Sequence, residues 1–382
     1  MQKMQPHLYG NGGNIIMVQV ENEYGSYYAC DSDYRLWLRD LLKGYVEDKA
    51  LLYTIDICRQ RDFDCGPIPE VYATVDFGIS VNASQCFDFL KTIQKGGPPV
   101  NSEFYPGWLA HWQEPHPKVT SDAVVRQMKS MLSLNASIKE TLENAKHSGP
   151  VLENISVISP IPMLKAAYGT FHLQPLVSLF EEVTHRITPV LSAKPLTFES
   201  MDINTGFVMY ETILLNKFEN PVNLTVNSLR DRAIIYLDQV QVGTMNRLKG
   251  NTTIFLDIEK HSAQTLSILV ENQGRINYGD FIEDRKGILG HVLLDNKIVG
   301  PWKDDAHPLN ETSWLSSIKP VEHVQVPAFY RTQFTLPEDY TSTLDTYLDT
   351  SGWTKGVAFL NDINLGRYWP LAGPQITLYV PC

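Results

Sequence analysis

Two short stretches place carboxylates where an apolar strand gives out. In VQVENEYGSY (18–27), Val18 and Val20 lead into Glu21, Asn22 and Glu23. In VNSEFYPGW (100–108), Val100 and Asn101 lead into Glu103, followed by Phe104, Tyr105 and Trp108. A charged side chain at the end of a buried strand must pair, reach solvent or do chemistry. In parallel α/β folds the residues just past the carboxyl ends of strands line the active site, and Glu23 and Glu103 are both expected there. Two such acids meet the requirement for cleaving a glycosidic bond. One is held protonated to serve the leaving oxygen, and the other is held ionised to attack the anomeric carbon or activate water. The rings beside Glu103 suit the apolar C–H faces of a sugar. Residue types alone leave open which of Glu21 and Glu23 works, since alternation puts both on one face while the strand lasts.

The elements that must position these acids follow from hydrophobic periodicity. Up to about residue 145, short apolar runs at 15–20, 51–55, 71–77 and 99–102 read as strands. Between and after them, 34–46, 87–94 and 121–134 carry apolar residues at helical spacing. Strand–helix alternation of this kind predicts βαβ units around a parallel sheet. Asp56 and Asp76 follow two of these strands and are candidates for a supporting place in the cleft.

From about residue 195 the pattern changes to short alternating runs at 205–214, 223–227, 233–237, 253–256, 265–270 and 288–292. The same style resumes at 329–334, 343–348, 356–360 and 376–380. The chain thus reads as multidomain α/β plus all-β, the latter part as jelly-roll or sandwich modules. Its expected divisions are an α/β unit at 1–147, a linker at 148–189, a first β-domain at 190–300, a second linker at 301–324 and a second β-domain at 325–382.

Composition narrows the partners. The 382 residues are 43% hydrophobic with a formal net charge of −11, enough apolar material for two or three domains and no basic stripe to offset phosphate. Nucleic acid and anionic membrane surfaces are therefore not expected as partners. The opening MQKMQPHLYGNGG has no apolar core of a signal peptide, and no apolar run approaches the ~20 residues of a membrane span. The histidines lack zinc-ligand spacing and no Gly-rich nucleotide motif occurs, so neither metal nor cofactor is expected. Cys30, Cys58, Cys65, Cys86 and Cys382 are too few for a disulfide scaffold, leaving one or two disulfides or free thiols as the readings. Asn82, Asn135, Asn154, Asn223, Asn251 and Asn310 begin Asn-x-Ser/Thr sequons. His111 and Trp112 are expected to pack the loop near them, and Trp353, Tyr368 and Trp369 to pack the core and a seam between domains.

VQVENEYGSY and VNSEFYPGW resemble the two signature strands of glycoside hydrolase family thirty-five, the lysosomal-type acid beta-galactosidases. DRAIIYLDQVQVG (231–243), LVENQGRINYG (269–279) and SGWTKGVAFLNDINLGRYWP (351–370) resemble that family's galactose-binding-like β-domains, in collinear order over almost the whole chain. The resemblance implies a partial TIM (β/α)8 barrel, strands four to seven of the family's eight, followed by two jelly-roll/galactose-binding-like β-domains. It implies a retaining hydrolase of terminal β-D-galactose, with Glu23 as general acid/base, Glu103 as nucleophile, Asn22 at the sugar 2-hydroxyl, Tyr105 against the galactose and Glu21 as a supporting acid. Galactosides of oligosaccharides, glycoproteins or glycolipids would be the substrates, a homo-oligomer is left open, and the compartment would be the lysosome or the exterior. Cys30 and Cys65 match positions that form a disulfide in animal members. Only about thirteen residues precede the ENEYG strand, the helix near Leu134 is expected to lead past a missing eighth strand, and LYVPC stops short of a closing strand. Residues 1–382 alone are accordingly expected to lack turnover. The competing reading is a carbohydrate-binding or interaction protein derived from such an enzyme and without catalysis.

Overall fold

The computed structural model describes residues 1–138, 164–215, 218–258, 263–278, 281–335 and 344–381. Five parallel strands lie side by side in chain order: β1 (Met17–Gln19), β2 (Leu51–Ile57), β3 (Tyr72–Gly78), β4 (Val100–Tyr105) and β5 (Ser137–Ile138). The helices α1 (Ser32–Val46), α2 (Gln60–Cys65), α3 (Ala83–Ile93) and α4 (Ser121–Ser133) connect them. Three helices start where a side-chain oxygen caps the free N–H groups of the first turn. Asp31 accepts from Tyr34 N at 3.0 Å, Asn82 from Gln85 N at 3.2 Å and Thr120 from Ala123 N at 3.3 Å. Val20 and Leu52 pack against Leu36, Leu42 and Val46 of α1, and Val75 and Phe77 against Phe87, Leu90 and Met131 of α3 and α4. Each such fully buried side chain contributes about 1.5–3 kcal/mol. The result is an open section of β/α wall rather than a closed ring among the described residues.

Several expected elements shift. The run 15–20 shortens to β1 because the backbone turns left-handed at Glu21 (φ 64°) and Glu23 (φ 53°), which ends the ladder. The strand expected at 99–102 continues to Tyr105, so Glu103 lies within β4 and not beyond it. The helix expected at 87–94 begins at Ala83, where Asn82 caps it. After α4 the chain returns at once as β5, pairing Val100 with Ser137 and Asn101 with Ile138, so a short parallel strand stands where none was expected.

The middle of the chain is a sandwich of two antiparallel sheets. The larger runs, in order, Val240–Asn246, Arg232–Leu237, Gln264–Glu271, Phe207–Leu214, Trp302–His307 and Val190–Ser192; the smaller runs Thr253–Leu256, Val222–Val226, Val292–Leu294 and Lys297–Ile298. Val208, Tyr210, Leu224, Ile235, Ile268 and Trp302 fill the space between them. The run 288–292 proves to be two strands, Gly287–Ile288 and Val292–Leu294, broken around Gly290, whose backbone approaches Asn227 too closely for a Cβ.

Both expected linkers are corrected. WKDDAH reads as polar linker, yet Trp302–His307 is a buried strand paired with Phe207–Leu214 and Val190–Ser192. Its acids are each met at one oxygen: Asp304 Oδ2 accepts from Ser192 Oγ at 2.7 Å and from Leu196 N at 3.1 Å, while His185 and His307 both meet Asp305 Oδ2 at 3.1 Å. In the described part of 148–189, Gln174–Ser178 pairs antiparallel with Ala328–Arg331 and so belongs to the last β region. That region adds Thr346–Asp349 paired with Thr377–Val380, and Gly356–Leu360 paired with Ile363–Tyr368. Residues 139–163 and Cys382, and with them the Asn154 sequon, lie outside the described residues.

One seam joins all three parts. Lys355 ion-pairs with Glu271 at 2.8 Å while its ammonium lies 4.4 Å from the Trp369 ring and 6.0 Å from the Trp112 ring. Gln113 N donates to Gly373 O at 2.9 Å nearby. Trp353 packs edge-on to Tyr330 and Tyr368. His111 bonds Glu114 in its own loop, whereas Trp112 reaches across to Trp369.

Candidate active site

Glu23 leaves the sheet on a turn whose shape is set by its neighbours. Its N–H donates to Ile55 O at 2.9 Å, and the next turn is pinned by Gly25 N donating to Asp56 Oδ1 at 3.1 Å. A Cβ on Gly25 would lie 1.9 Å from Asp62 O, and one on Gly66 would lie 1.8 Å from Asp56 Oδ1, so both positions require glycine. Glu21 and Glu23 do not share a face, because the strand has ended before them. Glu21 accepts a short hydrogen bond from the Tyr34 hydroxyl of α1. That bond, and then burial, push the Tyr34 phenol up to about 12. Gln19 Nε2 donates to Asn22 Oδ1 at 2.8 Å and is itself oriented by Tyr53, whose hydroxyl meets Gln19 Oε1 at 3.0 Å.

Glu103 reaches the same place through an irregularity in β4. Asn101 turns toward the helices, its amide bonding Phe77 O and Met131 Sδ. Strict alternation would send Glu103 to that side as well. The register slips between the Val75–Asn101 and Asp76–Glu103 pairs, and such bulges re-aim side chains beside functional sites. Ser102 Oγ accordingly meets Thr74 Oγ1 at 2.5 Å, and Glu103 Oε2 accepts from the Tyr105 hydroxyl at 2.6 Å. The same hydroxyl lies 3.3 Å from Glu23 Oε1. Those two carboxylate oxygens are therefore no farther apart than about 6 Å, the two bonds laid end to end. Burial, and then Glu103, hold the Tyr105 phenol well above its ordinary value, so it remains a donor.

Two further acids stand behind this pair. Asp76, on β3 beside Glu103, and Asp56, on β2 beneath the Gly25 turn, are almost fully buried. Each is pushed up to about 8, in both cases first by burial; Glu23 and Glu103 add to the shift at Asp76, Asp62 and Glu23 at Asp56, with Gly25 N opposing. Both lie inside their strands, not past them. Their signal in the sequence was an acid embedded in the apolar runs LLYTIDI and YATVDFG.

A cleft of about 480 Å³ opens over Glu21, Asn22, Glu23 and Tyr34, and its far wall is Asn277, Tyr278 and Ile282 from the sandwich. Arg59 donates to the Tyr278 hydroxyl at 2.7 Å and fixes that wall to the strand side. Sequence periodicity gave no sign of Tyr278, which comes from an irregular loop far away in the chain. Cys30 is bonded to Cys65 and Cys58 to Cys86, the second pair one that spacing had left open. Both disulfides tie the segments that carry the cleft. Among the described residues no cluster of His, Cys, Asp and Glu suits a metal ion, and no helix is long and apolar enough to cross a membrane. Of the described sequons, Asn82, Asn135, Asn251 and Asn310 are exposed, whereas the side-chain oxygen of Asn223 is buried in its sheet.

Each of the three parts of the chain matches a domain of known proteins. Residues 1–141 match the family described as Glycosyl hydrolases family 35, residues 195–310 the first all-beta domain of beta-galactosidase, and residues 327–382 its galactose-binding domain. The whole chain aligns with Beta-galactosidase of Homo sapiens at 32% identity, covering 65% of that protein. It aligns with Beta-galactosidase of Mus musculus at 32%, covering 68%, and with Beta-galactosidase-1-like protein of Mus musculus at 33%, covering 66%. The chain thus spans about two thirds of the length of these curated relatives, and the human alignment runs over 447 residues, more than the chain itself contains. With two family-specific β-domains following a family 35 segment in one collinear match, the chain belongs to glycosyl hydrolase family 35.

Proposed function

We propose, contrary to the expectation of no turnover for residues 1–382 alone, that the chain removes terminal β-linked galactose from glycoconjugates by double displacement, with Glu103 as nucleophile and Glu23 as general acid/base. The observation that carries this reading is the Tyr105 hydroxyl held between the two carboxylates, which keeps their facing oxygens within about 6 Å. Retaining enzymes space their carboxyl groups by about 5–5.5 Å, and inverting ones leave a wider gap for water. In the first step Glu103 attacks the anomeric carbon, the glycosidic C–O bond breaks, and the Glu23 proton passes to the leaving oxygen. In the second, Glu23 takes a proton from water, the resulting oxygen attacks the same carbon, and Glu103 departs. Asn22, oriented by Gln19, is placed to hold the 2-hydroxyl, where a hydrogen bond tightens in the transition state. Tyr105 would lie against the sugar, and Glu21, engaged by Tyr34, supports the turn without giving up a proton.

The disulfides and the exposed sequons support a lysosomal or secreted protein, since such bonds persist in oxidising compartments. A fluorinated galactosyl inhibitor that traps the covalent intermediate tests the reading. Mass spectrometry should find the adduct on Glu103, and Glu103→Gln should abolish it; an adduct on Glu21, or on Glu23, would overturn the assignment. The binding-only reading draws on the open five-stranded wall, which covers a sugar from fewer sides than a closed barrel. Galactose binding without any adduct would favour it.

A further inference from the structure

We propose that Asp76 is a positioning residue of this centre: a neutral acid that donates a hydrogen bond to Glu23 and steadies it through its change from acid to base. The inference rests on the function proposed above.

Its first support is placement. Asp76 sits on β3, in register with Glu103 on β4 and with Ile57 on β2, and Glu23 enters the same wall from the turn whose N–H donates to Ile55 O of β2. It is 3% exposed, and its Oδ1 is buried without a hydrogen-bond partner, as a carboxyl oxygen facing other carboxyls must be unless one of them holds a proton. The groups facing it are Glu23 from the turn after β1, and Glu103 and Tyr105 from β4; on β2, Asp56 is directed to the Gly25 turn and Tyr53 to Gln19. Three ionised carboxylates on one wall, with burial at the third, is an arrangement that neutralises instead of persisting. The most buried member keeps its proton, which leaves Glu103 free to be ionised.

The second support is donor chemistry. A protonated carboxyl donates, and a donor aimed at a carboxylate makes a charge-assisted bond. When Glu23 passes its proton to the leaving oxygen, the new carboxylate has two donors waiting, the Tyr105 hydroxyl and Asp76. When Glu23 recovers a proton from water, the Asp76 proton is still on Asp76. No bond to that residue forms or breaks in the cycle.

The test needs a readout that packing alone would not move. Infrared spectra of the full chain at pH 7 should show neutral carboxylic-acid carbonyl absorption that weakens in Asp76→Asn and weakens further when Asp56→Asn is added. In steady-state kinetics on a galactoside with a poor leaving group, Asp76→Ala should lower kcat/KM by about 10- to 100-fold. Asp76→Asn, still a neutral donor, should restore most of that loss. Above pH 8 the wild type should lose activity with a second proton, a steepening that the Asn variant lacks. Near-ultraviolet circular dichroism and the intact disulfide map confirm that each variant is folded. An unchanged band in Asp76→Asn, or an Asn variant no better than Ala, would overturn the proposal while leaving the galactosidase reading in place. A wild type without turnover would count against that reading, and the infrared result would still decide where the proton is.

Discussion

A hydroxyl suspended between two carboxylates is the most consequential single atom of the site. Tyr105→Phe removes both of its hydrogen bonds while keeping the ring, and the loss of a donor to a charged group corresponds to about a 10- to 100-fold fall in kcat. Substrate affinity should move less, because the ring still offers its face to the sugar; steady-state parameters on a nitrophenyl galactoside separate the two. The two acids should also be told apart by leaving group. Glu23→Gln should cost about 10²–10⁴-fold on a poor leaving group, the range of general acid catalysis, and far less on one that departs without a proton. Equal losses on both substrates would remove Glu23 from the proton-donor role. Gly66→Ala tests the ground beneath the site: its methyl would overlap the Asp56 carboxyl, and overpacking of that kind costs about 1–3 kcal/mol of stability, measurable by urea unfolding.

Elements show why some of this could be read from residues and some could not. The strands β2 and β3 and the helices α1 and α4 were legible because they carry long apolar patterns that only one period satisfies. Glu103 was legible as a residue, but its orientation was not, because that depends on a register slip between neighbouring strands. Trp302–His307 was missed for a similar reason: its acids look solvated until Ser192 and His185, distant in the chain, arrive to meet them. Tyr278 gave no periodic signal, since loops have no period, and the motif LVENQGRINYG that contains it pointed to a β-domain and not to the cleft. The disulfides make a prediction at this scale. Peptide mapping without reduction should recover Cys30–Cys65 and Cys58–Cys86, and the double replacement Cys30→Ser with Cys65→Ser should cost about 3–4 kcal/mol in the chain-entropy picture of a 35-residue separation. Crossed pairings or free thiols would contradict the fold around the cleft.

For the molecule as a whole, buried acids set the response to pH. Asp56 and Asp76 titrate near 8 in the folded protein, and carboxyls of an unfolded chain titrate near 4. A group whose folded value is raised binds its proton more tightly when folded, so its contribution is complete below pH ~4 and is lost as pH rises toward ~8. Acids held low by cations, such as Asp284 between Lys286 and Arg247, act in the opposite sense and lose their contribution at strongly acidic pH. The melting temperature should therefore be highest at mildly acidic pH and fall from pH 5 to pH 8, with a shallower fall in Asp56→Asn. A melting temperature that rises over that interval would contradict the burial of these acids.

The seam around Lys355 has a consequence for how opening of the molecule can be watched. Lys286 is sealed inside the sandwich, and Lys355 is largely covered in the junction, where burial holds its ammonium below the ordinary lysine value. Reductive methylation of the folded protein should mark the exposed amines first and spare these two. If the three parts separate while each stays folded, Lys355 gains its methyl groups and Lys286 does not; only melting of the sandwich exposes both. A pair of amines thus works as a two-channel footprint, one reporting undocking and the other unfolding.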